Sequence, residues 1–157
     1  PELPGHREVL RGMRLATVRD LPTLVDRLVR VQHLSRHALA SLGDRDAVYR
    51  NCLDAINDHR MLVVGPYAVM YEVGKPFWSD KDKLFEQLVL RAWGNNEQAS
   101  DPGGGIEQIP EILMSIAKAL KCAAVITGDS SRWAVMTNVY TSAGFQPVGT
   151  TFMREIV

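Results

Sequence analysis

Two apolar runs separated by a glycine and a proline limit this chain most strongly. Met61-Leu62-Val63-Val64 and Tyr67-Ala68-Val69-Met70-Tyr71-Glu72-Val73 flank Gly65-Pro66. That gap holds only a tight turn, so the two segments read as antiparallel strands of one hairpin. A third apolar run, Ala123-Ala124-Val125-Ile126-Thr127, is short and carries no polar alternation, the pattern of a strand covered on both faces. A hairpin together with a doubly covered strand calls for a sheet with helices on both sides.

The rest of the chain supplies those helices. Met13 to Val18 reads as a short strand. Asp20 is the expected N-cap of a first helix, with Pro22 tolerated in its first turn. Leu24, Val25, Leu28, Val29, Val31 and Leu34 recur at helical spacing, leaving Arg27, Arg30 and Arg36 to solvent. A second helix starts near Asp44 and ends in Asn57-Asp58-His59. Leu84 to Trp93 reads as a further strand, followed by a glycine-rich loop from Gly94 to Gly105 and a helix from about Ile109 to Lys121. An amphipathic helix then precedes Gly144-Phe145, and a short closing strand begins at Gln146. The order β, α, α, β, β, β, α, β, α, β implies one mixed sheet in a single domain, 13–157, behind an extension, 1–12.

Composition narrows the function classes. Lysine plus arginine and aspartate plus glutamate are both 18, so no global field favours nucleic acid or an anionic membrane. The opening Pro1-Glu2-Leu3-Pro4-Gly5-His6 has no signal-like apolar stretch, and no segment reaches the length of a membrane span. A cytoplasmic protein is the expectation. Cys52 and Cys122 lie far apart among apolar neighbours, which suits two reduced, buried thiols. His33 and His37 stand four apart on the first helix, but no third ligand accompanies them, so no metal is expected.

Tyr140 stands four residues before Gly144, so its phenol points back over the preceding turn toward the strand ends. Glu86 sits mid-strand among apolar neighbours, where an unpaired carboxylate is costly, so it faces either a polar cleft or a partner such as Lys83, Lys75 or Arg91. Glu72 on the neighbouring strand is a weaker substitute. Phe77 and Trp78 fall on the turn before this strand, where they pack or line a pocket. No Gly-x-Ser-x-Gly elbow or other nucleophile-base pair is visible, which sets hydrolysis aside.

Three signatures in order resemble the GCN5-related N-acetyltransferase (GNAT) family: Met13 to Pro22 as its opening strand and Asp-Leu-Pro helix start, Leu84 to Lys121 as its cofactor strand, loop and helix, and Val139 to Gly149 as its closing helix, Gly-Phe turn and last strand. The resemblance implies a GNAT-like α/β (α+β mixed sheet) fold of six to seven strands with about four helices. It implies an N-acetyltransferase that uses acetyl-coenzyme A and passes the acetyl group directly to an amine on a small molecule or a protein. Tyr140 is then the general acid for the departing thiolate and Glu86 the base. The backbone of Val89, Leu90 and Arg91 would hold the pantetheine arm, and Gly103, Gly104, Gly105 and Ile106, with Asn138, would complete the cofactor site. The family's Gln/Arg-x-x-Gly-x-Gly/Ala pattern is not met, because Ser100 or Pro102 stands where Gln or Arg belongs. Asp101 and Glu107 also bring negative charge to an anion site. The resemblance therefore leaves a second reading, a non-catalytic binding or structural protein of this shape such as a phage virion or assembly component. Homodimer or larger assembly stays open.

Overall fold

The computed structural model describes residues 13–34, 43–93, 105–128 and 136–149, with Phe152, Arg154 and Ile156 beyond them. The hairpin forms as its spacing requires. Strand β2 (Met61–Val64) pairs antiparallel with β3 (Tyr67–Gly74), Val64 opposite Tyr67, and Gly65 takes a left-handed φ of 55° that its missing Cβ permits. Strand β1 (Met13–Leu15) adds to one side of β2 and β4 (Lys83–Arg91) to the far side of β3, both antiparallel. Strand β5 (Ala124–Ile126) adds to β4 in parallel, giving the order β1-β2-β3-β4-β5.

Alternation along β2 shows how the layers are built. Met61 and Val63 pack with Leu24 and Val25 of α1 (Leu21–Leu34) and with Cys52, Ala55 and Ile56 of α2 (Arg45–Asn57). Leu62 and Val64 face the other way, onto Ile109, Ile112, Leu113 and Ile116 of α3 (Ile109–Ala119). All four residues of β2 are fully buried, so the strand has no solvent face and its unbroken apolar run is explained. Asp44 caps α2, its carboxylate accepting the amides of Asp46 and Ala47.

Several sequence expectations are corrected. The described sheet has five strands, not six or seven. Among the described residues, 145–149 carry no ladder where the closing strand was expected to begin, and most of the chain from Thr150 lies outside the described residues. The opening strand ends at Leu15 rather than Val18 because the chain turns there. The Asp20 amide donates to the Thr17 carbonyl while the Asp20 carboxylate accepts from the Thr17 amide at 2.8 Å and from both terminal nitrogens of Arg14. Asp20 thus ties β1 to the start of α1 instead of serving only the helix that follows it. The fourth strand ends at Arg91 and α3 at Ala119, each about two residues short of expectation. The extension 1–12, His37, the loop 94–104 with Gly103 and Gly104, and residues 129–135 lie outside the described residues. No described helix is long and apolar enough to cross a membrane, and the described residues hold no metal-binding group of three or more ligands.

Candidate functional site

Strand β4 changes character halfway along. Tyr71 pairs with Glu86 and Met70 with Leu88, so Gln87 is an extra residue bulged out of the ladder. The bulge reverses which face each later residue takes. Leu84 lies on the α3 side, but Leu90 joins the core beneath α1 and α2, with Leu88 packed against it. Glu86 keeps the face of Leu84 and of its partner Tyr71. Gln87 is held by its side chain, donating to Glu72 at 2.8 Å and accepting from Arg60 at 3.4 Å. Glu72 is therefore engaged on the opposite face of the sheet from Glu86.

Beside this bulge the sheet opens. Strand β5 pairs with β4 only from Lys83 to Phe85, whereas β4 continues to Arg91. The Ala92 amide donates to the Pro66 carbonyl at 2.9 Å. By the two-residue alternation of an antiparallel ladder, Leu88 and Leu90 aim their backbone groups at β3, and Val89 and Arg91 aim theirs at the side that β5 has left. The Arg91 carbonyl accepts from Arg27 Nε at 3.2 Å, as that direction requires. Of the three residues expected to hold a pantetheine arm, Val89 and Arg91 stand at the open edge. Leu90 turns its backbone to β3 and its side chain to the core.

Tyr140 reaches this place from α4 (Met136–Ser142). The helix ends in a Schellman motif: Phe145 N–H donates to the Tyr140 carbonyl at 3.0 Å and Gly144 N–H to the Thr141 carbonyl at 3.1 Å, with Gly144 at φ 90°. The apolar contact that accompanies such a motif is here Phe145 against Tyr140, ring centroids 5.2 Å apart. Tyr140 is thereby fixed from below and is only 4% exposed. Its hydroxyl donates to Glu86 Oε1 at 2.9 Å. Two side chains 54 residues apart in sequence meet where β4 bulges and β5 departs. A cavity of about 570 Å3 is walled by Tyr140, Thr141 and Phe145, by Met114 of α3 and by Val125 and Ile126 of β5, and Glu86 does not line it.

The other candidate residues lie differently. Asn138 is exposed on α4, its carbonyl accepting from Thr141 Oγ1. Lys75 is engaged with Asp82 and the Asp80 carbonyl. Phe77 and Trp78 stack edge to face on each other and are 88% and 89% exposed. Ile106 opens a single 3-10 turn, Ile106–Gln108, ahead of α3 and packs on the core. Gly105 is bound by that turn: its amide donates to Gln108 Oε1 at 3.0 Å, and Gln108 N–H returns to the Gly105 carbonyl at 3.1 Å. The Glu107 carboxylate lies close by, 2.6 Å from where a Cβ on Gly105 would stand, and Pro110 removes another amide from the first turn of α3. The edge of β4 and the phenol suit the thioester end of coenzyme A. The start of α3 does not suit its diphosphate, because an amide that would bind it is already satisfied and a carboxylate stands beside it.

Cys52 is buried and Cys122, expected to be buried as well, is partly exposed. Burial pushes the Cys52 thiol up to about 11, and burial, followed by the charge of Asp82, raises Cys122. Neither offers the thiolate that a covalent acyl carrier needs.

Solved structures share this architecture. The chain superposes on a probable acetyltransferase with a TM-score of 0.61 at 12% identity, over 92% of this chain and 97% of that one. It superposes on glucosamine-6-phosphate N-acetyltransferase from Arabidopsis thaliana with a TM-score of 0.59, again at 12% identity over 92% and 97%. The same figures, 0.59, 12%, 92% and 97%, hold for AAC(6')-Iy in complex with a bisubstrate analogue, CoA-S-monomethyl-acetylneamine. The fold is that of the GNAT acetyltransferases. No family model and no curated protein matches the sequence.

The sequence pointed to Tyr140 and Glu86 separately and missed what joins them. The bulge at Gln87 had no signal beyond a strand whose polar residues change parity. The exposed arginines of α1 were assigned to solvent on periodicity alone.

Proposed function

We propose that this GNAT-fold chain is an N-acetyltransferase that uses acetyl-coenzyme A and transfers the acetyl group directly to an amine. The observation that carries the reading is the 2.9 Å hydrogen bond from Tyr140 to Glu86 at the opened edge of β4. Acetyl-coenzyme A supplies the acetyl group as a thioester. Glu86 takes a proton from the acceptor's ammonium, directly or through one water, and leaves the amine lone pair able to attack. Tyr140 gives its phenolic proton to the departing sulfur. Because the two side chains are hydrogen-bonded, the proton gained at Glu86 then passes to the Tyr140 oxygen and the pair returns to its starting state, while the second proton of the attacking nitrogen leaves to solvent as the amide forms, the one proton the overall reaction releases. Val89 N–H, at the open edge, is the donor available to the carbonyl oxygen as charge develops on it. The raised cysteine thiols favour direct transfer over a covalent acyl-enzyme.

A panel of amines with acetyl-coenzyme A, read by release of free thiol, tests the reading. Turnover with at least one amine that falls on Tyr140→Phe and on Glu86→Gln is expected. Turnover indifferent to both substitutions removes the pair from the chemistry. A second reading, a non-catalytic binding or structural protein of GNAT shape, is favoured by the self-satisfied start of α3. It predicts no thiol release and no response to acetyl-coenzyme A.

A further inference from the structure

The arginines of α1 lie around a second cavity. It holds about 650 Å3 and is walled by Thr23, Asp26, Arg27 and Arg30 of α1 and by Arg91, Ala92 and Trp93 at the end of β4. Thr23, Arg27 and Arg30 stand at i, i+4 and i+7, a single stripe on the helix. Asp26 is the acidic member of this wall, and Arg45 of α2 already draws on its carboxylate at 3.1 Å. No carboxylate among the described residues pairs with Arg27 or Arg30. Arg27 is anchored by Nε on the Arg91 carbonyl, which fixes the guanidinium and leaves its two terminal nitrogens to point elsewhere. A chain with equal numbers of acidic and basic residues therefore concentrates positive charge in one concave place.

We infer that this cavity is a phosphate-binding site in which Arg27 and Arg30 grip a phosphate or diphosphate group. Planar guanidinium forks match phosphate oxygens two at a time, and an anchored fork loses less freedom on binding than a loose one. The start of α3 gives independent support. Its Gly105 amide is occupied by Gln108, and Glu107 stands beside it, so that amide is not open to phosphate charge brought near β4. Arg91 lies five residues beyond Glu86, roughly 16 Å along the strand. An extended pantetheine arm running from the Tyr140–Glu86 pair would bring its diphosphate to about this place. A phosphate carried by the amine acceptor is the other source of the same chemistry. The choice between those sources rests on the proposed acetyl transfer; the phosphate site itself does not.

Calorimetric titration of the full chain with inorganic pyrophosphate, coenzyme A and pantetheine tests the inference. Pyrophosphate is expected to bind, with affinity falling as salt is raised. Arg30→Gln, on an exposed position, should weaken it about tenfold or more, Arg30→Lys by less, and Arg27→Gln with Arg30→Gln should abolish it while the melting temperature stays put. If coenzyme A weakens in parallel and pantetheine is unaffected, the site takes the cofactor's diphosphate. If pyrophosphate weakens, coenzyme A does not, and KM rises only for phosphorylated amines, the site takes the acceptor's phosphate. Absence of pyrophosphate binding, or binding untouched by the double substitution, overturns the inference. The proposed acetyl transfer fails separately, through thiol release indifferent to Tyr140→Phe, and pyrophosphate binding would survive that failure.

Discussion

Two places beside the sheet, the end of α4 and the start of α3, use their polar groups differently. Where α4 meets β4, a phenol and a carboxylate are drawn together, the phenol fixed by a helix-ending motif beneath it. Where α3 begins, Gln108 caps Gly105, the Glu107 carboxylate stands beside it and Pro110 carries no amide. The polar groups of one place face each other across two elements, and those of the other are spent within a single turn. The contrast teaches that a shared fold does not keep all parts of a site together.

The largest expected effect breaks the comparison at its catalytic end. Tyr140→Phe removes the proton donor and should lower kcat on the order of a hundredfold or more, with little change in affinity for acetyl-coenzyme A, as steady-state kinetics would show. A rate within a factor of two of the unaltered protein would make the two ends alike, both structural.

Next in size is the brace at the mouth of α1. Burial alone would raise the Asp20 carboxyl, but hydrogen bonds from Arg14 and the Thr17 amide, with the charge of Arg14, hold it below its ordinary value. A lowered value in the fold means that the unfolded chain takes the proton first. The stabilisation is therefore complete above the unfolded pKa of about 4 and is lost as pH falls through the folded value. Asp20→Asn should cost about 1–3 kcal/mol at neutral pH and flatten the acid limb of stability, followed by urea denaturation at several pH values. An unchanged acid limb would remove Asp20 from the frame that positions α1 and its arginines.

Gly144→Ala sharpens the comparison from beneath Tyr140. A Cβ there would meet nothing within 4 Å, so the cost is that of a left-handed residue alone, about 1–2 kcal/mol. The Schellman turn would loosen and kcat fall with it. A stability loss without a rate loss would show that the turn does not position the phenol. The smallest effect belongs to the other end. Gln108→Ala gives up one side-chain hydrogen bond, about 0.5–1.5 kcal/mol, and exposes the Gly105 amide. Pyrophosphate affinity should change by no more than a fewfold, because the grip lies on α1. A large gain would return the phosphate site to the start of α3.

Much of the fold was legible because its signals are local. The hairpin follows from a two-residue gap, α2 from the Asp44 cap, and the end of α4 from a glycine that supplies the left-handed turn. The ends of α2 and α3 were harder to read, since His59 and Lys121 adopt left-handed backbone at φ 58° and 59° without being glycine. Residues 146–149 show the limit of a strand-like pattern: they carry no ladder, because a strand forms only against a partner, and pairing is not written in the segment itself. The site was half legible for the same reason. Tyr140 and Glu86 each stood out by chemistry, one as a polar tip near a turn and the other as an acid in an apolar strand. Their contact depends on α4 coming to rest beside β4, 54 residues away in sequence, and no local feature announces it. The α1 arginines looked like an ordinary solvated face until Arg91 and Trp93 folded against them.

The most direct test of the central claim is a thermal melt of the full chain over a range of acetyl-coenzyme A concentrations. The Tyr140–Glu86 account predicts a melting temperature that climbs with ligand, equivalent to about 2.7 kcal/mol at a hundredfold excess over the dissociation constant, in the parent chain and in Tyr140→Phe alike. A melting temperature that stays flat at millimolar acetyl-coenzyme A would contradict it.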